Sequence, residues 1–301
     1  MVVARDLVKK YGDLAAVDHI QLTINKGEVF GLLGPNGAGK STAIRMIQCV
    51  SPITSGHLEV LGMDVNGNSK EIKRRIGVAP QETNLDPDFD VFRNLTSYAR
   101  YFDIPRDVTK RRASELLEFM QLTEKKSTMI EQLSGGMKRR LIVARALIND
   151  PEIIILDEPT TGLDPQARHL IWERVRQLQR EGRTIVLTTH YMDEAEQLCD
   201  RLVIMEHGKV LVEGKPKELI ADSVGDCVME VVEPIGDVAG SYLRSKGVQV
   251  ERSADRLYVY SKECRTINQE FRHAHPDIYS AIRPATLEDV FLRLTGRGLR
   301  E

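Results

Sequence analysis

The sequence is poor in the features that mark disulfide-rich, zinc-binding and nucleic-acid-binding chains. Its 301 residues include four cysteines, one tryptophan and 5% aromatic residues, and the formal net charge is −2. The cysteines, at positions 49, 199, 227 and 264, form no CxxC pair, which argues against a zinc site or a disulfide framework and fits a reducing compartment. Interspersed acidic and basic residues give no basic field of the kind that DNA or RNA binding usually requires, so we expect no nucleic-acid partner.

Long apolar segments are also missing. The longest apolar runs, such as Ile153–Leu156, fall far short of the roughly 20 residues that cross a bilayer. The N-terminal segment Met1–Lys10 alternates apolar with charged residues and shows no cleavable apolar core. We therefore expect a cytoplasmic chain that reaches a membrane only through a partner, with room for one large α/β domain and a smaller second one.

What the sequence does contain is a glycine loop between an apolar run and a helix predicted over Ala43–Val50. Glycine lets backbone N–H groups close on a β-phosphate, the lysine reaches the β- and γ-oxygens, and the serine hydroxyl can ligate Mg²⁺. A glycine-rich connecting turn is the plainer interpretation, but the flanking strand and helix favour a nucleoside triphosphate site. Its residues are Gly34, Pro35, Asn36, Gly37, Ala38, Gly39, Lys40, Ser41 and Thr42.

A second apolar strand, Ile153–Leu156, delivers two carboxylates to its C-terminal end, which is the edge where open parallel sheets bind ligands. We expect Asp157 to hold a Mg²⁺ ion that bridges the β- and γ-oxygens. Glu158 is placed to orient and partly deprotonate a water in line with the γ-phosphorus. Alone, the pair could be a solvated strand end, but together with the glycine loop it indicates catalysis.

Three further side chains are candidates because of where they fall along the chain. His190 ends the strand Thr184–Thr189 and can hydrogen-bond a phosphate oxygen and help to fix the water. Gln81 follows another strand and could touch both Mg²⁺ and that water. Considered alone, His190 or Gln81 would more often be a polar residue at the protein surface. Tyr11 is a candidate for stacking on a purine, although a lone aromatic could equally be a packing residue.

The run LSGGM forms a second glycine-bearing helix start. Its Ser134, Gly135 and Gly136 combine a hydroxyl, free N–H groups and a helix N-terminus, which together form an anion site. An ordinary helix capped by Ser134 is the alternative. The run lies at the edge of a predicted helical insert of about residues 82–150, where it could meet the nucleotide of a second subunit.

Strands and helices alternate around this insert, which implies a parallel sheet. A helix from Pro165 to Glu181 is predicted with Asp164 as its cap. From residue 223 the element order is β-α-β-β-α-β, the ferredoxin-like order, with a turn at Ala254. A last helix follows Thr286, whose hydroxyl can cap it with Asp289 as the reciprocal partner. We expect a nucleotide-binding α/β domain over residues 1–222 and a small α+β domain over residues 223–301.

In their order along residues 1 to about 220, these motifs resemble those of the ATP-binding subunits of ABC transporters. The residues that carry the resemblance are Tyr11, the glycine loop, Gln81, the LSGGM run, the IIILDE strand, TGLD at 161–164, and His190. Residues 142–151, 164–174 and 287–297 are most similar to exporter ATPases of the ABC-2 class that export nodulation-factor lipooligosaccharides or confer daunorubicin resistance. The resemblance implies the ABC ATPase form of the P-loop NTPase fold, with a RecA-like parallel sheet core, an antiparallel β subdomain and a helical subdomain.

The resemblance also implies partners and a mechanism. ATP and Mg²⁺ would bind, and two copies of the chain would dock head to tail, with each ATP between the glycine loop of one copy and the LSGGM run of the other. Asp164 would lie at this interface. Hydrolysis through Glu158 would loosen the dimer and move an attached integral-membrane permease, which would hold the chain on the inner face of the cell membrane. The expected activity is ATP-driven export of a lipid-like saccharide or a hydrophobic drug.

One residue departs from the commoner family pattern, because Met137 stands where the signature carries glutamine. A thioether cannot donate a hydrogen bond, so contact with the ribose should be weaker. A soluble ABC ATPase acting on ribosomes or DNA is the alternative function, although such proteins tend to carry two ATP-binding units, a coiled-coil insert or cysteine metal sites. For residues 223–301, a ligand-sensing module is the alternative to a dimer-stabilising or partner-contacting appendage.

Overall fold

The structure is a computed structural model, and it describes residues 1–233, 236–253, 255–261 and 263–295. The chain divides into two units, Met1–Glu213 and Gly214–Glu301. The helix Pro216–Ser223 therefore belongs to the second unit, whereas the boundary expected from the sequence follows residue 222. None of the helices in the described ranges combines the length and the apolar character needed to cross a membrane.

The first unit contains an antiparallel sheet and a mainly parallel one. Its strands, in chain order, are β1 (Val2–Tyr11), β2 (Leu14–Ile24), β3 (Val29–Leu33), β4 (Ser55–Val60), β5 (Met63–Asp64), β6 (Ile76–Ala79), β7 (Ile153–Asp157), β8 (Thr184–Thr189), β9 (Arg201–Glu206) and β10 (Lys209–Gly214). The antiparallel sheet has the order β2-β1-β4-β5, and the six-stranded sheet has the order β10-β9-β3-β8-β7-β6.

The helices of this unit are α1 (Lys40–Ile47), α2 (Ser69–Arg75), α3 (Val91–Tyr98), α4 (Arg106–Phe119), α5 (Gly135–Ala146), α6 (Pro165–Arg180) and α7 (Met192–Leu198), with short 3₁₀ turns at Ala99–Phe102, Thr123–Lys125 and Ile130–Gln132. Between β6 and β7 the chain is helical, as the predicted insert requires. The insert approaches the sheet closely, because a Cβ at Gly77 of β6 would lie 1.9 Å from the carbonyl oxygen of Ala146 at the end of α5. Only glycine allows this contact.

The parallel register explains how the site is assembled. Leu33 of β3 is paired with Thr189 of β8, and Asp157 of β7 is paired with Thr188. Ala79 of β6 is paired with residue 156 of β7. Strands β3, β7 and β8 are mostly apolar and buried on both faces, as is typical of parallel sheets covered by helices. Because these four strands end together, the segments that follow them meet at one edge, where the sequence placed the catalytic residues.

The second unit has the ferredoxin-like arrangement that the sequence predicted. Its elements are α8 (Pro216–Ser223), β11 (Cys227–Val232), α9 (Val238–Ser245), β12 (Val250–Ser253), β13 (Arg256–Ser261), α10 (Cys264–Ala274), β14 (Ser280–Pro284) and α11 (Leu287–Thr295). The four strands form one antiparallel sheet in the order β12-β13-β11-β14. Side chains from this sheet, α9 and α10 form a separate buried core that includes Met229, Leu243 and Phe271. The predicted turn residue Ala254 and the last residues of the 287–297 segment lie outside the described residues.

Two local predictions were wrong in detail. Helix α1 begins at Lys40 rather than Ala43, because Gly39 at φ +101° closes the loop directly onto the first helical turn. At α11 the hydroxyl of Thr286 donates to the Asp289 carboxylate (3.1 Å) instead of accepting a backbone N–H. The reciprocal bond, from the Thr286 N–H to Asp289, does form (2.8 Å). Arg283 binds both oxygens of the same carboxylate (2.7 and 2.6 Å), so Asp289 is an ion-pair partner as well as a cap.

Candidate active site

The glycine loop joins β3 to α1 in a conformation that requires glycine at both ends. Gly34 has φ +155°, and a Cβ there would lie 2.2 Å from the carbonyl oxygen of Met205. Gly39 has φ +101°, and a Cβ there would lie 2.4 Å from the carbonyl oxygen of Ala16. Gly37 also has a positive φ, of +81°, but open space surrounds it. The loop is therefore pressed against neighbouring backbone at its two ends and is open at its middle.

The start of α1 is suited to an anion. Its N-cap, Gly39, has no side chain to accept the first helical N–H groups, and the first turn carries no acidic residue. These N–H groups point out of the helix without a side-chain partner, at the end that carries the positive pole of the helix dipole. A helix N-terminus of this kind is a site where a phosphate can bind.

Lys40 is a buried cation at the same place. Its side chain is only 5% exposed, and Nζ donates to the carbonyl oxygens of Gly34 (2.6 Å) and Pro35 (2.8 Å). Burial lowers the pKa of the ammonium group, while the nearby Glu158 and Asp157 carboxylates act in the opposite direction. Because its hydrogen-bond partners are neutral carbonyls, the ammonium charge is available to phosphate oxygens.

Glu158 is the centre of the predicted catalytic group. The residue is 8% exposed, and its Oε2 accepts hydrogen bonds from Gln81 Nε2 (3.0 Å) and Thr161 Oγ1 (3.0 Å). Nδ1 of His190 lies 3.2 Å from Oε1. The backbone of Glu158 has φ +46°, a conformation that non-glycine residues rarely adopt. The structure thus brings together all three residues that the sequence assigned to catalysis.

Asp157 lies beside this group with one carboxylate oxygen held by the structure. Its Oδ1 accepts a hydrogen bond from Thr188 Oγ1 (2.5 Å). The proposed magnesium ligands are this carboxylate, the Ser41 hydroxyl and the Gln81 amide. In the described part of the chain, no group of three or more His, Cys, Asp or Glu side chains could hold a metal ion. The donor set nevertheless fits Mg²⁺, which usually takes one or two carboxylates and completes its coordination with waters and phosphate oxygens.

The residues of the LSGGM run form a separate group with Asp164. Ser134 Oγ accepts from Met137 N (3.3 Å) as the N-cap of α5, and Asp164 Oδ1 accepts from Ala167 N (2.9 Å) as the N-cap of α6. A Cβ at Gly136 would lie 3.9 Å from Asp164 Oδ2, so the two helix starts are adjacent. Within the described ranges, no hydrogen bond or ion pair joins this pair of caps to the residues of the glycine loop.

Tyr11 ends β1 and is 50% exposed. The ammonium group of Lys9 lies 4.9 Å from the ring centroid, and the phenol oxygen is 3.4 Å from Ser51 Oγ. Tyr11 is therefore not part of the core. Stacking on a purine requires an exposed aromatic face, and Tyr11 can provide one. The assignment of Tyr11 to the base remains a prediction.

Sequence reasoning missed several residues that hold this site. Thr161 and Thr188 bind the two carboxylates directly, and Arg139 is buried against the backbone around them. Burial lowers the pKa of the Arg139 guanidinium to about 10. A signal for Arg139 was present, since it follows the helical spacing of the buried Ile142 and Val143 and is the one charged residue on that face.

Comparison with known proteins identifies relatives of both units. Residues 17–161 match the family model described as ABC transporter, and residues 237–296 match the model described as Nodulation factor export protein NodI, C-terminal domain. The chain is 46% identical over 300 residues to the Nod factor export ATP-binding protein I of Ralstonia nicotianae, covering 98% of this chain and 94% of that protein. It is 46% identical over 302 residues to the protein of the same name from Rhizobium sp., covering 99% of each.

Solved structures give the same result for the first unit. The chain is similar to the ATP-binding cassette MJ0796 in a dimeric, post-hydrolysis state bound to ADP and Pi, with a TM-score of 0.66 and 30% identity over 71% of this chain and 98% of that one. It is also similar to cbiO1 from Clostridium perfringens, part of the ABC transporter complex cbiONQ, with a TM-score of 0.68 and 29% identity over 73% of this chain and 90% of that one. Identity of 46% over nearly the full length, together with the shared fold, shows that the chain belongs to the ABC transporter family, as an ATP-binding, ATP-hydrolysing subunit similar to the Nod factor export ATP-binding proteins.

Proposed function

We propose that the chain lies on the inner face of the cell membrane, bound to a separate integral-membrane permease, and powers the export of a lipooligosaccharide or a hydrophobic drug through that permease. The support is the identity with Nod factor export proteins, together with the family match in the second unit. These relatives do not favour a soluble ATPase acting on ribosomes or DNA. The observation that carries the catalytic part is the buried Glu158 carboxylate, held by Gln81 and Thr161 next to the glycine loop.

The nucleotide would be held mainly through its phosphates. Lys40 and the first N–H groups of α1 bind the β- and γ-phosphates, and Tyr11 stacks on the base. Because Met137 replaces the usual glutamine, the ribose receives one hydrogen bond fewer. Ser41, Gln81 and Asp157 would hold Mg²⁺, which would supply positive charge against the phosphates.

Glu158 acts as the general base. Its carboxylate accepts a proton from the attacking water while the water oxygen bonds to the γ-phosphorus and the bond to the β,γ-bridging oxygen breaks. Hydrogen bonds from Gln81 and Thr161 occupy Oε2 and restrain the carboxylate from rotating. His190 lies on the Oε1 side, where it can contact a phosphate oxygen and help to fix the water.

A second copy of the chain would complete the site. Ser134, Gly135 and Gly136 form an anion site that is not bonded to the chain's own glycine loop, which supports binding of a nucleotide from another copy. Asp164 lies beside this site, where it can sense the docked partner. The dimeric cassette bound to ADP and Pi, with 30% identity, supports the pairing of two copies, which we propose to be head to tail.

Glu158→Gln tests the proposal. The amide keeps the shape of the carboxylate but cannot take a proton at neutral pH, so turnover should fall by roughly 10² to 10⁴-fold while ATP still binds. Light scattering in MgATP should then show accumulated dimers. The matched control is Glu152→Gln, just before the opposite end of β7, where the carboxylate pairs with Arg75 (2.6 Å) and turnover should stay within about twofold.

Full turnover in Glu158→Gln would refute the base assignment. A variant that binds ATP yet stays monomeric would refute the two-copy site. The cargo class is tested separately, by reconstituting the chain with its permease in vesicles and asking whether a lipooligosaccharide or a hydrophobic drug stimulates ATP hydrolysis.

A further inference from the structure

Arg139 is a buried cation that the roles above do not use. Its side chain is 6% exposed. Nε donates to the carbonyl oxygen of Pro159 (2.8 Å), Nη2 donates to that of Asp157 (2.7 Å), and Nη1 donates to that of Pro80. Within the described ranges it forms no ion pair with a carboxylate, so all its direct partners are backbone oxygens.

These three carbonyls belong to residues that directly flank Glu158 and Gln81 in the sequence. Asp157 and Pro159 are the residues on either side of Glu158, and Pro80 immediately precedes Gln81. Gln81 in turn donates to Glu158 (3.0 Å). One planar group therefore holds the backbone before and after the proposed base, and also the backbone that carries the amide partner of that base.

The same side chain connects this pair to α5. Arg139 lies in the second turn of the helix that Ser134 caps, and its neighbours on the buried face, Ile142 and Val143, anchor that helix in the core. The first turn of α5 is the part proposed to meet the nucleotide of the other copy. A displacement of α5 on docking would therefore reach Glu158 through the guanidinium.

We propose that Arg139 is a positioning residue for ATP hydrolysis, which aligns Glu158 and Gln81 and transmits the docking of α5 to them. The proposal rests on the proposed role of Glu158 as the base. Arginine suits the task because its rigid planar fork donates in several fixed directions at once, whereas a lysine ammonium on a flexible stem cannot hold three separated carbonyls. A misplacement of about 1 Å at a reacting group can cost on the order of 10²-fold in rate.

The test compares Arg139→Gln and Arg139→Lys with the control Arg145→Gln. Arg145 lies on the same helix, is equally buried at 6% exposure, and donates to the backbone oxygen (2.7 Å) and the side chain of Asn84. Within the described ranges it has no hydrogen bond to the backbone on either side of Glu158. Both Arg139 variants should lower kcat by about 10- to 100-fold with the KM for ATP within about twofold. Arg145→Gln should lower the unfolding midpoint by as much as Arg139→Gln and leave kcat within about twofold.

Two further measurements make the test independent of folding. Arg139→Lys keeps the charge and most of the volume, so its kcat remains informative if the glutamine variant does not fold. Combining Arg139→Lys with Gln81→Ala should reduce kcat by less than the product of the single effects, because both act through the position of Glu158. Wild-type kcat in Arg139→Lys, equal kcat losses at Arg139 and Arg145, or multiplicative effects with Gln81→Ala would each overturn the proposal.

Failure of this inference can be told apart from failure of the proposed function. If Glu158→Gln keeps full turnover, the base is wrong and the role of Arg139 falls with it. If Glu158→Gln abolishes turnover while both Arg139 variants keep wild-type kcat, only the positioning role is refuted.

Discussion

Replacing Lys40 by methionine should separate phosphate binding from the stability of the fold. The substitution keeps an unbranched side chain of similar length and removes the charge. It loses the two hydrogen bonds to Gly34 and Pro35, each worth roughly 1 kcal/mol net. Burial already disfavours the ammonium form, as its lowered pKa indicates, and that cost disappears with the charge. We expect the free energy of unfolding without nucleotide to fall by no more than about 2 kcal/mol.

Nucleotide should reveal the functional loss. A ligand at about 100 times its Kd stabilises the folded protein by about 2.7 kcal/mol. For a unit of this size, 1 kcal/mol corresponds to roughly 2–4 °C, so a slowly hydrolysed ATP analogue with Mg²⁺ should raise the unfolding midpoint of the wild-type first unit by about 5–10 °C. Lys40→Met should show almost none of this rise, because the cation that binds the β- and γ-oxygens is gone.

The chain offers a matched control at Lys9. This lysine is also buried, at 8% exposure, and its Nζ donates to a backbone carbonyl, that of Pro52 (2.7 Å). Lys9→Met should destabilise the nucleotide-free protein by a similar amount, and the unfolding midpoint of this variant should still rise when the analogue is added. Thermal unfolding of the three proteins with and without nucleotide makes the comparison. If the analogue raises the unfolding midpoint of Lys40→Met as far as that of the wild type, the assignment of the glycine loop as the phosphate site is refuted.

The remaining predictions concern the buried acid Glu194, the stacking of Tyr11 on the nucleotide base, and the second unit. Burial raises the pKa of Glu194 above its ordinary value of 4.5. At pH values between 4.5 and the raised pKa, the folded chain keeps a proton that the unfolded chain has released. The free energy of unfolding therefore falls as the pH rises through this range. Glu194→Gln should flatten this slope in urea unfolding measured across weakly acidic pH, and an unchanged slope would contradict the assignment. Tyr11→Ala should raise the KM for ATP by about tenfold while Tyr11→Phe does not, since stacking uses the ring; equal effects would exclude stacking. Truncation after Glu213 should weaken ATP-dependent dimerisation and leave ATP binding intact, and wild-type dimerisation would leave regulation as the role to test.

The catalytic edge was predictable because it follows from strand pattern alone. Apolar runs such as Ile153–Leu156 read as buried strands, and parallel strands end at a common edge. Any polar residue directly after such a run is therefore brought near the others, as the contacts of Gln81 and His190 with Glu158 confirm. The start of α1 was less predictable, because it depends on the left-handed conformation of Gly39, which apolar periodicity does not report.

Residues that act through backbone contacts were not predictable in the same way. Lys138, Arg139 and Arg140 look alike in sequence, but only Arg139 is fully buried, with its guanidinium against the carbonyls around Glu158. Arg140 is half-buried and donates to carbonyl oxygens at residues 120 and 121 instead. Helical spacing places Arg139 on the apolar face of α5, yet spacing alone cannot say whether a charge there reaches solvent along its stem or is enclosed. The acceptors come from two strands that are distant from α5 in sequence, so the partner set depends on the assembled fold.

The charges at the site argue for a second copy on physical grounds. Lys40 and Arg139 are both buried, and the same carboxylates, Asp157 and Glu158, counteract the effect of burial on the pKa of each cation. Two cations and two anions nearly balance, so the nucleotide-free site is close to neutral. A triphosphate adds several negative charges that Mg²⁺ offsets only in part. A single copy meets them with the first turn of α1 and with Lys40, whose charge Asp157 and Glu158 already offset. The helix N-terminus of a second copy would supply the additional positive charge that the triphosphate requires. Hydrolysis and release of phosphate would remove part of the negative charge, and with it the attraction that holds the second copy.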